Sequence, residues 1–292
     1  MAQTGSRTPI RWLAYLAFWG LLPLALGLVL AGLLVPVPKI GVIRFESVIW
    51  GGSISYLGDM LDRAVADRNI RAIVLEIDSP GGDVTATEEL HFRLLEARKH
   101  KPLVVTVDYL AASGGYYMAA AGDYVYAKPA SLVGNIGVVS FLPPIDEQRF
   151  TSEDYVSTGP FKFSGGSRGD YMRQIELAKG AFLESVFAQR QDRLKVDREM
   201  LSSGEIFMGM QALRLGLIDG LGANSEALPK AAELARIRDY EVVDVNALVY
   251  GDDEEAIMWG SSDAVQEALS SRDPTWRQRL YYLYLAPEKR RQ

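Results

Sequence analysis

Residues Arg71–Gly82 read RAIVLEIDSPGG: an almost continuously apolar run closed by an acidic residue, a serine, a proline and two glycines. A short β-branched run without polar alternation is a strand covered on both faces, the pattern of a buried parallel sheet. SPGG then turns the chain, and Val84–Lys99 continues as a helix. Upstream, Ile40–Phe45 (IGVIRF) is a second strand, and Leu57–Arg68 is an amphipathic helix with Leu57, Met60, Leu61, Ala64 and Val65 on one face. Downstream come a strand at Leu103–Val107, a sharp AASGG turn opening a helix, and strands at Tyr124–Ala127 and Gly137–Ser140. A long helix follows over Tyr171–Leu194, striped by Ile175, Ala178, Phe182 and Val186. Glu205–Leu221 reads as strand–helix–strand and Tyr240–Val245 as a late strand. Alternation of this kind predicts an α/β domain of stacked β-β-α or βαβ units over residues 38–250. Residues 251–292 form a C-terminal extension.

Composition narrows the chemistry. The net charge of −6, without a long basic run, argues against nucleic acid as a partner. There is no cysteine, so disulfides, thiolate metal sites and a cysteine nucleophile are excluded. Neither a metal nor an organic cofactor is expected. The two histidines, His91 and His100, fall mid-helix and in a KHKP turn, where packing or surface roles are expected.

Before the domain, Trp12–Val37 carries no charge in WLAYLAFWGLLPLALGLVLAGLLVPV. A helix of about 20 apolar residues crosses a bilayer, and a cleaved leader has a shorter apolar core and a small-residue cleavage site. Residues 12–37 are therefore expected to be an uncleaved transmembrane anchor, with 1–11 as the preceding terminus. Arg7 and Arg11 before it nearly balance Lys39 and Arg44 after it, so charge does not orient it. Near the other end, Leu280–Leu285 (LYYLYL) is too short to span. It either docks on protein or lipid or packs as a terminal strand.

Two glycine-rich turns follow buried strands: Asp78-Ser79-Pro80-Gly81-Gly82 and Ala111-Ala112-Ser113-Gly114-Gly115. Ligands collect at the carboxyl ends of such strands, and glycines let a backbone approach and aim its N–H groups at a ligand. Ser113 is a candidate nucleophile there; taken singly, each turn reads better as a tight turn with a serine cap, and their combination shifts the balance. A serine needs a base, and a lysine serves when it can be neutral. Lys162, in TGPFKFSGG at 158–166, is one candidate and Lys128 another, although either reads alone as a solvated lysine.

Five motifs in order resemble the signal peptide peptidase A family of serine peptidases, which share the Clp protease/crotonase fold. They are IDSPGG (77–82), AASGGYY (111–117), VGNIGVV (133–139), the lysine loop (158–164) and GMQALRLGLIDGLG (209–222). The resemblance covers roughly residues 40–245. It implies a spiral of β-β-α units behind one N-terminal transmembrane helix, with the catalytic domain outside the cytoplasm. It implies a Ser113–Lys162 dyad with the N–H groups of Gly82 and Gly114 as oxyanion hole. Asn135 stands where the family usually has a lysine-orienting serine, and an asparagine carbonyl can accept the same bond. The expected substrates are hydrophobic peptides such as remnant signal peptides. Longer family members carry two tandem copies that share serine and lysine, so one copy implies a ring-shaped homo-oligomer. A crotonase-type acyl-CoA enzyme and a non-catalytic membrane scaffold are the alternatives.

Overall fold

The computed structural model describes residues 12, 15, 17–34, 36–140, 158–159, 161–162, 165–251 and 280–283. Two compact units emerge, Met1–Pro38 and Lys39–Gln292. In the first, a π-helical turn at Ala17–Leu21 leads into helix α1, Leu22–Leu34. The expected span of 12–37 is thus shorter as described helix. Among the described residues no helix is long and apolar enough to cross a membrane.

The second unit opens with β1 (Lys39–Phe45), α2 (Gly51–Ala66), β2 (Ile70–Ser79), β3 (Gly81–Asp83), α3 (Val84–His100), β4 (Leu103–Ala112) and α4 (Gly114–Ala119). It continues with β5 (Tyr124–Ala127), β6 (Leu132–Gly134), β7 (Val139–Ser140), α5 (Arg168–Arg190), a 3₁₀ turn at Gln191–Arg193 and α6 (Arg198–Leu201). The remaining elements are β8 (Ile206–Met208), α7 (Gly209–Leu215), β9 (Gly220–Leu221), α8 (Asn224–Ala235), β10 (Glu241–Asp244), α9 (Val245–Tyr250) and β11 (Leu280–Leu283).

The main sheet runs β10-β1-β2-β4-β5-β9, all parallel, with β6 parallel to the end of β4 and β8 antiparallel to β6. Both faces of β2 are buried, as its apolar run requires. Ile73, Leu75 and Ile77 enter one core with α2, α3, α4 and α5, whereas Ala72 and Val74 meet Ala227, Ala231 and Ala232 of α8 on the other. Strand β4 changes partners along its length. Val104–Val107 pair with β5, and Leu110–Ala112 pair with β6. Its pairing with β2 slips between Ile77 and Ser79. This bend carries the strand ends, and the two glycine turns, to one place.

Three differences from the sequence reading have local causes. Helix α2 starts at Gly51, six residues before the first apolar stripe residue, because Trp50 lies across Gly52 where a side chain would collide with its ring. The expected strand at Gly137–Ser140 is only Val139–Ser140, since β6 ends at Gly134 and Asn135 turns the chain with φ 56°. Helix α8 was not foreseen. Its buried face is all alanine, too small to mark an apolar stripe, and Pro229 lies inside it.

Candidate active site

Ser113 sits between β4 and α4 with φ 52° and ψ −119°. A non-glycine residue rarely adopts such a backbone, at a cost of about 1–3 kcal/mol, and the surroundings must hold it there. They do so through both peptide groups: its N–H donates to the Gly134 carbonyl at 2.7 Å, and its carbonyl accepts from Tyr117 N–H at 2.9 Å. The residue is 1% exposed.

The two glycine turns pack against each other. A side chain on Gly115 would sit 2.4 Å from the Ser79 carbonyl, and one on Gly114 would be 2.7 Å from Thr87 Oγ1 and 3.2 Å from the Gly81 Cα. Gly82 is tighter still, with Ile49 O 1.9 Å from its would-be Cβ. Ile49 N–H donates to Gly81 O and Asp83 N–H donates to Ile49 O, both at 2.8 Å. With those bonds directed to Ile49, alternation points the N–H of Gly82 to the opposite edge of β3. The N–H of Gly114, first in its helix, has no acceptor within that helix. Ser113, Gly82 and Gly114 are therefore brought together.

Asn135 is one residue beyond Gly134 and takes the left-handed conformation, which asparagine tolerates better than serine. Its Nδ2 donates to Gly204 O at 2.7 Å and its backbone N–H to Glu205 O at 2.8 Å, pinning the β6–β8 corner. This gives a structural reason for asparagine at that position, absent from the sequence pattern. Lys162 is exposed, in a turn where its N–H donates to Gly159 O at 3.3 Å. Among the described residues no hydrogen bond joins it to Ser113. Lys128, the other candidate, is ion-paired with Asp108.

Behind the site is a cluster that the sequence did not disclose. His91, mid-helix in α3, is 1% exposed and stacks near Tyr117, the carbonyl of which accepts from its Nδ1 at 2.8 Å. Ser185 of α5 bonds its Nε2 at 2.8 Å. The expected packing role holds for this histidine. Burial pushes its pKa from 6.5 down to about 4; nearby Arg98 adds to this and the Tyr117 bond opposes it. A folded pKa below the unfolded one means the stabilising contribution is complete above about pH 6.5. It is lost as pH falls from there toward 4, amounting to about 3 kcal/mol. Denaturation midpoints measured between pH 7 and 4 should fall steeply in the wild type and less in His91→Gln; equal slopes would remove His91 as the cause.

The motif near residue 216 also has a structural task. Arg190, at the end of α5, is fully buried; its Nη1 and Nη2 donate to Asp219 at 2.8 Å each, and its Nε and Nη2 to Gly216 O at 3.1 and 3.0 Å. Burial works against the charge, but the Asp219 bonds and charge, together with nearby Tyr116 and Tyr124, outweigh it and raise the pKa. Gly216 is left-handed at φ 77°, and a side chain there would meet Arg193 O at 1.8 Å.

Comparison with known proteins finds similarity to peptidases. The Peptidase family S49 profile matches residues 96–238. Protease 4 of Salmonella typhi is 32% identical over 187 residues, covering 60% of this chain and 30% of that protein. A protease-named protein of Methanocaldococcus jannaschii is 30% identical over 217 residues, covering 70% and 68%. The chloroplastic serine protease SPPA of Arabidopsis thaliana is 29% identical over 183 residues, covering 58% and 27%. The chain belongs to peptidase family S49. It spans less than a third of the length of the Salmonella relative.

Proposed function

We propose that this protein is a membrane-anchored serine endopeptidase that hydrolyses extended hydrophobic peptides, such as remnant signal peptides, with a Ser113–Lys162 dyad. The observation that carries the reading is the strained backbone of Ser113, held against two glycine edges that donate no side chains to the space beside it. In this reading Lys162 Nζ takes the Ser113 hydroxyl proton while Oγ adds to the peptide carbonyl. The N–H groups of Gly82 and Gly114 receive the oxyanion, each worth about 2.7–4 kcal/mol. The lysine then protonates the leaving amine. Water, deprotonated by the same lysine, releases the acyl group from Oγ. Asn135 offers its amide oxygen to orient the lysine, since its nitrogen is engaged with Gly204. The domain is read as the Clp protease/crotonase-like spiral.

Lys162 is supplied by a neighbouring copy in a closed ring. The exposure of Lys162, set against the burial of Ser113, supports this, as do Phe161, Met172 and Leu177, exposed apolar residues in the same loop and in α5. Head-to-tail contacts of this type repeat until a ring closes. Residues 12–37 anchor it, with the domain on the extracytoplasmic side.

The test is hydrolysis of an extended hydrophobic peptide and of an acyl-CoA thioester by wild type and Ser113→Ala. Peptide cleavage lost in the variant is expected; thioester cleavage alone would select the crotonase-type reaction. Gly82→Ala should lower kcat about 10²–10³-fold, because an added methyl forces β3 away from Ile49 and misaims one oxyanion donor. An unchanged kcat would take Gly82 out of the oxyanion hole.

A further inference from the structure

Strand β11 is the middle strand of a second, three-stranded sheet ordered β3-β11-β7. Both pairings are antiparallel: Tyr281, Tyr282 and Leu283 face Asp83, Gly82 and Gly81, while Leu280 and Tyr281 face Ser140 and Val139. It also approaches α3 and α4, the latter being the helix that Ser113 opens. The other edge of β3 is already taken by Ile49. Without β11, the site would therefore be a slot between two strand edges about two strand spacings apart, roughly 9–10 Å. Such a slot holds one extended chain, bonded on both sides, as in peptide recognition by strand addition. Gly82, whose N–H points into that slot, lies directly opposite Tyr282.

We propose that Leu280–Leu283 occupies the place of the substrate strand, so that the C-terminal segment is an intramolecular competitor that substrate must displace. The proposal rests on the peptidase reading above. Its physical basis is that one row of N–H and C=O groups on β3 cannot pair with two chains at once. A competitor on the same chain binds intramolecularly, so a free peptide must exceed its effective concentration to displace it. Only peptides that bond both edges compete with it, so the segment sets a threshold for cleavage.

The test uses the full-length chain with Tyr282→Pro, which removes the N–H opposite Gly82, and separately Tyr281→Pro, which removes the N–H that alternation turns toward Val139 of β7. Both should raise kcat/KM for a short peptide about tenfold or more through KM, with kcat little changed. In parallel, a fluorescent peptide with the sequence of residues 279–287 is titrated by anisotropy into Ser113→Ala and Ser113→Ala/Tyr282→Pro proteins. It should bind the second at least tenfold more tightly. Unchanged or lower kcat/KM in both proline variants would make β11 a fixed wall of the cleft, and equal peptide affinity would show that it does not occupy the slot; either result overturns the proposal. If no protein cleaves peptides, the peptidase reading fails by itself, and the anisotropy experiment still decides this one.

Discussion

Mixing Ser113→Ala with Lys162→Ala subunits, each inactive alone, should restore about a quarter of wild-type peptide hydrolysis once the subunits exchange. In a randomly mixed ring, half the junctions present an intact serine, and half of those face an intact lysine. Each single variant should lose at least about 10⁴-fold in kcat, because nucleophile and base act as one unit. Lys162→Arg should be as inactive as Lys162→Ala, since a guanidinium does not release its proton at usable pH. The expectation rests on the exposed turn at Lys162 and the buried elbow at Ser113 within one chain. Exchange demonstrated by cross-linking with no recovered activity would place both residues in the same subunit and reject the shared site.

Arg190→Met should be the most destabilising single change outside the site. It leaves the Asp219 carboxylate, 10% exposed, facing Val125 N–H at 2.8 Å and only the partly exposed Arg193 as counter-charge. Removing one member of a buried pair costs about 3–5 kcal/mol, which in a domain of this size lowers Tm by about 10 °C. Two carbonyl bonds to Gly216 are lost as well, loosening the hold of α5 on the left-handed turn. The double variant Arg190→Met/Asp219→Leu should recover part of the loss, because no charge is then left unpaired. Thermal denaturation of the three proteins measures this; a double variant as unstable as the sum of its parts would show that packing, not charge, sets the penalty.

Much of this protein is legible along the chain. RAIVLEI states that β2 is covered on both faces, since Ala72–Leu75 run apolar without alternating toward water. The pairs Gly81-Gly82 and Gly114-Gly115 mark where backbones must touch, and the structure supplies the contacts: Ile49 O, Thr87 Oγ1 and Ser79 O. Ser113 as candidate nucleophile follows from the same turn. These features are local, fixed by side-chain volume and backbone freedom over a few residues, which is why the sequence alone determined them.

Other features depended on partners far along the chain. Nothing in TATEELHFR tells that His91 is buried between Tyr117 and Ser185, because a histidine on a helix is the same letter whether solvated or enclosed. Arg190 reads as a surface cation at a helix end until Asp219, 29 residues on, is folded beside it. Helix α8 buries small alanines against β1 and β2, a contact that its alanines do not announce as an apolar stripe would. LYYLYL left a choice between lipid, protein surface and strand, and pairing with β3 and β7 decided it for Leu280–Leu283. Burial, charge pairing and strand edges are properties of a neighbourhood assembled from distant segments, and only the tertiary structure brings those segments together.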